Sequence, residues 1–345
     1  MKKIIIFIFI ITLTLGGCSL GVSTKALGGG IFKSQDRGVN WEQKVFVAKG
    51  KKRDVTIDSL NISRILFSPL DAKTVYILSP ESGIYISENE AIQWRKYFGA
   101  GVSSLTLHPT QKDLSYVASG NKIYKTIDGG QNWQQMYIEG TPNDSLTDVI
   151  IDNINFNTLY AITSKGTILK SLDAGNSWQA IYRFGKGISR LFINSQNGVM
   201  YAAMPARGLW RSTDKGASWE DLQPNLESIV KKPGNFRQMI LIPGTSDGLL
   251  YVTPYGLFRT LDGGKNWTAI NLVTPPSAVG INTLAVNPQK NSEIFYALNF
   301  LIYYSNDNGV NWVTRPSPAR QAATALSINP NDPNIIYLGT TRIKK

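Results

Sequence analysis

Thr260-Leu261-Asp262-Gly263-Gly264-Lys265-Asn266-Trp267 is the clearest copy of a phrase that recurs along the chain. Its skeleton is a hydroxyl residue, an Asp two positions on, a Gly two further and a Trp three after that. The skeleton returns at Ser34/Asp36/Gly38/Trp41, Thr126/Asp128/Gly130/Trp133, Ser171/Asp173/Gly175/Trp178, Ser212/Asp214/Gly216/Trp219 and Ser305/Asp307/Gly309/Trp312. A worn copy, Ser87/Asn89/Ala91/Trp94, keeps the ends and loses the Asp and Gly. Seven of the eight tryptophans close such a phrase.

Successive phrase tryptophans stand 53, 39, 45, 41, 48 and 45 residues apart. Each interval contains strand-like runs of β-branched and aromatic residues bounded by Gly, Pro and Asn. A first run often ends in a Pro turn, as in Ile65-Leu66-Phe67-Ser68-Pro69 and Leu284-Ala285-Val286-Asn287-Pro288. A second contains a tyrosine among apolar residues, as in Val75-Tyr76-Ile77 and Leu250-Tyr251-Val252. A third leads into the phrase and a fourth starts at its Trp. Four strands per period in the forties is the pattern of a β-propeller. The ends complement each other. Gly30 to Lys33 with its phrase lacks first and second strands, while Ala325–Pro330 and Ile335–Leu338 are first and second strands with no phrase after them. Joined, they make a seventh blade and remove the open edges. The expected fold is therefore all-β, a seven-bladed propeller of four antiparallel strands per blade over residues 30–345. A truncated eighth repeat starting at Arg342 is the alternative.

At 345 residues the chain can bury a substantial core, and its aromatic content and modest charge favour a folded protein over disorder. One cysteine excludes an internal disulfide framework and a thiolate metal cage. The net charge of +12 permits an anionic partner.

The first stretch reads as an address. Met1-Lys2-Lys3 followed by the apolar run Ile4 to Leu15 has the form of a secretory signal and is too short to span a bilayer comfortably. It ends in Leu15-Gly16-Gly17-Cys18, which resembles the lipobox of bacterial lipoproteins. That resemblance implies cleavage after residue 17 and acylation (palmitate included) of Cys18, with residues 18–29 as a Gly-rich tether. The acyl chains hold such a protein on a membrane without a spanning helix. Ser19 does not resemble the inner-membrane retention signal, which is compatible with an outer-membrane location in a Gram-negative source. An uncleaved anchor or ordinary secretion is the competing reading.

The phrase itself resembles the Asp box, or BNR repeat, of sialidases, sortilin-type receptors, xyloglucanases and photosystem II assembly/stability factors. Physically it is a hairpin between third and fourth strands. The Asp accepts hydrogen bonds from turn amides, the Gly takes positive φ, and the Trp packs back into the blade. In proteins of this type the turn lies on the face away from the ligand funnel. The resemblance thus implies that Asp36, Asp128, Asp173, Asp214, Asp262 and Asp307, with Trp41, Trp94, Trp133, Trp178, Trp219, Trp267 and Trp312, are blade fasteners rather than catalytic groups.

Function is then sought on the opposite rim, whose loops are rich in Lys and Arg, among them Lys49, Lys51, Lys52, Arg53, Arg183, Lys186, Arg207, Lys231, Lys232, Arg315 and Arg320. The phrase face carries the opposite bias. Aligning first strands on their apolar residues places Arg64, Ser104, Asp148, Arg190, Gln238, Thr283 and Ala325 at equivalent positions by the funnel mouth, with Arg237 one step before Gln238. Three arginines from three blades suit bidentate capture of a carboxylate or phosphate. Asp148 could instead neutralise one of them and make an internal network. Both readings stand at this point.

Catalysis finds little support. The only histidine, His108, sits in a Pro turn on the phrase face, which excludes Ser-His-Asp chemistry and histidine metal sites. An arginine trio resembles sialidases, and Tyr182, Tyr255 and Glu227 are then loose candidates for their Tyr–Glu pair. The usual Phe/Tyr-Arg-Ile-Pro segment is missing, however, and seven blades differ from the sialidases' six. Xyloglucanases of this repeat type join two propellers around a cleft. Asp54 and Asp58 could pair for glycoside chemistry, but sit in a Lys-rich loop. No cofactor or metal is expected, and nucleic acid is a poor partner, since no stacking platform accompanies the charge. The expectation is a monomeric, non-catalytic, membrane-anchored propeller that binds a protein or an anionic polymer or glycan through its basic face. A sialidase-like, glycan-active propeller is the alternative.

Overall fold

A computed structural model describes residues 28–205, 207–230, 236–274 and 280–343, and in it every phrase ends a third strand. Six consecutive four-stranded antiparallel sheets have first strands at Arg64–Phe67, Val102–Leu107, Leu146–Ile151, Arg190–Ile193, Gln238–Leu241 and Thr283–Val286. These are blades 1 to 6. The seventh sheet has the order Glu42–Gln43, Ile31–Ser34, Ile336–Thr341, Ala322–Ile328. Ile31 pairs with Gly339 and Ser34 with Ile336, so the two ends of the chain share one blade. The ring is closed at seven blades, because the C-terminal strand Ile336–Thr341 pairs with Ile31–Ser34.

The core lies between blades. Seven apolar clusters are buried, and each combines residues of two neighbouring blades. The ring is closed by the same force as its other joints: Ile31, Ile62, Ile65, Val75 and Ala325 join blade 7 to blade 1. Phe32, Ala285, Phe295 and Leu326 join it to blade 6. Burial at roughly 25 cal/mol per Å² makes these joints the main stabilising term.

The phrase explains its own residue types. In the copy at Thr260, the Asp262 carboxylate accepts the Thr260 hydroxyl at 2.7 Å, the Asn266 amide at 2.9 Å and the Asn266 side chain at 2.7 Å. Gly264 stands at φ +95° and Lys215, Asn308 and Arg37 at about +60° one step before their own glycines, so two successive left-handed residues turn each hairpin. The Trp N–H donates to the carbonyl of the phrase Gly at Trp41, Trp178, Trp219 and Trp267. At Trp94, Trp133 and Trp312 it instead reaches a carbonyl of the preceding blade or its linker, Lys44, Tyr97 and Asn271.

Three features add to the sequence reading. The linker after blade 7 forms its own hairpin, Phe46–Ala48 with Val55–Thr56. One short helix, Gln223–Glu227, follows blade 4. The second-strand tyrosines are also not all equivalent. Relative to the phrase hydroxyl, Tyr76, Tyr116, Tyr160, Tyr201 and Tyr337 occupy one position, but Tyr251 and Tyr296 lie one residue later and face the other side of their blades.

Candidate functional site

First strands form the wall of the central channel, and strand registers show which residues share a level. Arg64, Ser104, Asp148, Arg190, Gln238, Thr283 and Ala325 pair with Leu78, Ala118, Ile162, Ala203, Val252, Ala297 and Gly339. Each of these partners lies three residues beyond the one opposite its phrase hydroxyl. The seven positions expected to be equivalent therefore form one collar. The residues that follow them, such as Ile65, Leu105, Val149 and Leu191, are buried between blades. Two positions on, by the alternation of a strand, Leu66, Thr106, Ile150, Phe192, Ile240 and Ser327 form a half-buried second collar facing the channel, while Ala285 at that level is buried against blade 7.

The polar collar is partly an internal network. Asp148 is 2% exposed and accepts hydrogen bonds from the Ser104 hydroxyl and, at 3.4 Å, the Leu191 amide. Its Oδ2 lies 3.1 Å from Arg190 Nε and its Oδ1 lies 3.9 Å from Arg64 Nη1. One carboxylate thus serves two arginines rather than one. Gln238 ties blade 5 to blade 6, donating to the Leu284 carbonyl at 2.9 Å and accepting its amide at 2.8 Å.

The network leaves charge unspent. Arg64 Nη1 and Arg190 Nε are buried without a hydrogen-bond partner among the described residues. Burial and the Arg190 charge push the Arg64 guanidinium down to about 9 against the pull of Asp148, so it stays protonated at neutral pH. Arg237, exposed at the mouth, has no ion-pair partner among the described residues. Three guanidiniums and one carboxylate leave two net positive charges around a cavity of about 240 Å³. Arg64, Arg190, Arg237, Gln238, Thr283 and Ala325 line it together with Phe192 and Phe236. Such a site can bind an anion, since buried donors without partners gain most from one.

Other candidates lie elsewhere. Arg315 donates to the Arg37 carbonyl and lies over the Tyr304 ring at 5.1 Å, so it braces the phrase turn of blade 7 and does not reach the funnel. Arg183 and Lys186 are exposed at the outer rim of blade 3 and do not line the cavity. Asp54 pairs with Lys49 at 3.2 Å, and Asp58 accepts the Thr56 hydroxyl at 3.0 Å. Glu227 is exposed and accepts from Gln223, Tyr182 packs on Phe184, and Tyr255 is exposed. His108 is buried against Phe156, and burial lowers its pKa. Among the described residues no His, Cys, Asp and Glu cluster could hold a metal ion. Cys18, its signal sequence, Lys231 and Lys232 lie outside the described residues.

Sequence reasoning passed over the position before each collar residue. There Ser103 donates to the Leu146 carbonyl at 2.7 Å, Thr147 to Ile188 at 2.9 Å and Thr324 to Ile62 at 2.7 Å, each sewing a blade to the next. Ser63 and Ser189 occupy it in two further blades. The signal was present as a recurrent hydroxyl at a fixed offset. Arg237 and Asn282 replace it in blades 5 and 6, which leaves Arg237 directed to the mouth.

No family model matches the chain. A xyloglucanase of Paenibacillus sp is 24% identical over 282 residues, which is 78% of this chain and 23% of that protein. The human VPS10 domain-containing receptor SorCS3 is 34% identical over 88 residues, 24% of this chain and 7% of the receptor. The chain thus spans a quarter or less of these curated relatives. Among solved structures, the GH74 enzyme of Niastella koreensis superposes with a TM-score of 0.66 at 16% identity, over 86% of this chain and 53% of the enzyme. YCF48 bound to a D1 peptide superposes at 0.63 with 17% identity, over 82% of this chain and 94% of YCF48. YCF48 of Cyanidioschyzon merolae gives 0.64 at 14% identity, over 82% and 96%. At these identities the likeness is one of fold.

Proposed function

We propose that this propeller is a non-catalytic binding protein, held to the cell envelope by a lipid on Cys18, that captures an anionic protein segment at its funnel mouth. The observation that carries this reading is the charge count of one cavity: Arg64, Arg190 and Arg237 line it, and Asp148 alone opposes them. Like charges held together cost stability, so an arrangement with two net positive charges favours a bound anion. YCF48, whose fold this chain shares over most of both lengths, has been captured with a peptide bound.

The path of the chain supports a partner at the membrane surface. Gly28 to Gly30 lead into a third strand from the funnel side, where the Gln43 side chain donates to the Gly29 carbonyl and the Thr340 amide to Gly30. A tether of about ten residues reaches at most ~35 Å. An anchor at Cys18 therefore holds the basic funnel face toward the bilayer.

The second reading, a glycan-active propeller, rests on the xyloglucanase likeness. Among the described residues, no tyrosine, glutamate or unpaired aspartate lines the arginine cavity. A sialidase-like acid/base pair is thus not assembled beside these arginines.

The test is capture from a membrane extract with the purified chain, read by mass spectrometry, and repeated with Arg237→Glu and with Arg64→Gln. Arg237 is exposed, so its variant keeps the fold, which circular dichroism verifies. Partners lost in both variants support the reading. An unchanged partner set overturns it.

A further inference from the structure

The collar divides the channel in two, and its lower half has a chemistry of its own. Below Arg64, Asp148 and Arg190 lies a second cavity of about 350 Å³ that opens past Pro69, Pro109 and Asn153 on the phrase face. Its wall is mainly apolar, with Leu66, Ile150, Phe192 and Leu241 prominent. Leu66, Ile150 and Phe192 are half-buried where they face the channel, whereas Ile65, Val149 and Leu191, which alternate with them, are buried between blades. The inner end is closed by Arg64, Asp148 and Arg190, and the two arginines line both cavities.

An apolar tube ending in a cation with a buried, partnerless N–H is matched to a definite class of molecule. Water in the tube gains little from an apolar wall, and burying the CH₂ groups of a ligand there is favourable. Arg64 Nη1 has no hydrogen-bond partner among the described residues, and it lies 3.9 Å from the Asp148 carboxylate. A ligand carboxylate supplies the missing acceptor and balances the collar's remaining charge. The cavity volume falls within the range of about 300–1,000 Å³ of small-molecule sites.

We infer that the lower channel binds an alkyl carboxylate, a single anionic head on an unbranched aliphatic stem, which enters from the phrase face and places its head against Arg64. This site is separate from the funnel mouth, shares Arg64 with it, and does not involve Arg237.

Isothermal titration of the purified full chain with sodium octanoate tests the assignment, with acetate and octan-1-ol as partial ligands. Octanoate is expected to bind, and each partial ligand to bind about tenfold or more weakly, since it lacks the stem or the head. Arg64→Gln should weaken octanoate by about tenfold, the scale of a lost charge-assisted pair. Ile150→Asp should abolish binding by placing a charge against the stem. Leu66→Gln, a milder change in the same wall, serves should Ile150→Asp not fold. Absence of octanoate binding, equal binding of acetate, or unchanged affinity in both wall variants overturns the proposal. Octanoate affinity that falls with Arg237→Glu but not with Arg64→Gln would place the ligand in the funnel, and overturns it too. The funnel reading is judged separately, because its partner capture depends on Arg237.

Discussion

Asp148 Oδ2 stands 3.1 Å from Arg190 Nε, across the boundary between blades 3 and 4, and the same carboxylate faces Arg64 of blade 1. Three blades that are not all neighbours are therefore joined through one buried anion. Its removal leaves two guanidiniums facing each other across the channel. For a fully buried pair such a loss costs about 3–5 kcal/mol. Here the arginine side chains are 22% and 30% exposed, so solvent screens part of the repulsion.

Asp148→Asn is accordingly expected to lower stability by about 2–3 kcal/mol in urea unfolding, less than a fully buried case. The same variant should gain more from added sulfate than the parent, because a cavity with three net positive charges binds anions more tightly. Melting curves across a sulfate titration measure this. Equal sulfate dependence in both proteins would show that the collar does not face a bindable space.

A second prediction concerns acid. The Asp128 and Asp307 carboxyls are held down to about 2, first by the backbone amides of Asn132 and Asn311, then by the side chains of those residues and by the phrase hydroxyls. Asp173 and Asp214 are likewise at about 2, chiefly through the Ser177 and Ser218 hydroxyls. All start from 3.8 in the unfolded chain. A depressed carboxyl contributes stability above its unfolded value and loses it as pH falls through the folded one. The melting temperature should therefore change little in response to these groups down to about pH 4 and fall between pH 4 and 2. Asp128→Asn should make that fall shallower. A fall of equal steepness would deny the phrase its role as a fastener.

The number of blades was legible because the phrase is local: hydroxyl, Asp, Gly and Trp act on one another within eight residues, and their order survives in any fold. The collar was legible for a related reason. Each first strand carries the same apolar pattern and is followed by the same second and third strands, so aligning those patterns places the collar residues at one level. What Asp148 does was not legible, since its two arginines come from 84 residues before it and 42 after it, and their side-chain directions depend on packing. Arg315 shows the same limit. Expected in a funnel loop, it lies within the fourth strand Val313–Pro316, and its long side chain runs to the Arg37 carbonyl of the neighbouring blade. The second collar was not singled out in the sequence, because its exposure to a channel is a property of the closed ring.

The phrase glycines give a third prediction. Gly309 stands at φ +85°, and a Cβ there would meet Ile270 Cγ2 at 2.5 Å in the blade before. Gly120 also has positive φ, +57°, but open space around it. Gly120→Ala therefore tests conformation alone and should cost about 1 kcal/mol. Gly309→Ala adds a clash within a packed core, typically a further 1–3 kcal/mol. Chemical denaturation of the pair should separate them by that difference. Equal losses would show that blades 5 and 6 yield more readily than their packing indicates.

The closing blade supplies the last test. Glu293, with its side chain 3% exposed, accepts from Asn287 Nδ2 at 2.9 Å and pairs with Arg37 at 3.2 Å and Lys290 at 3.3 Å. Arg37 belongs to the phrase turn of blade 7, and Glu293 to the turn between first and second strands of blade 6. The pair thus lies across the joint where the N-terminal part of the chain meets blade 6. Its two halves are unequal. Arg37 is 42% exposed and regains water when the pair is broken, so Arg37→Ala should cost under about 1 kcal/mol. Glu293→Ala leaves the buried Asn287 amide without its acceptor, which costs about 1–3 kcal/mol. Once Glu293 is gone, the removal of Arg37 should have almost no further effect. A double-mutant cycle in urea reads this directly. Should Arg37→Ala prove the more damaging of the two, ring closure depends on the arginine itself, through its contacts to Asn334, and not on the buried carboxylate.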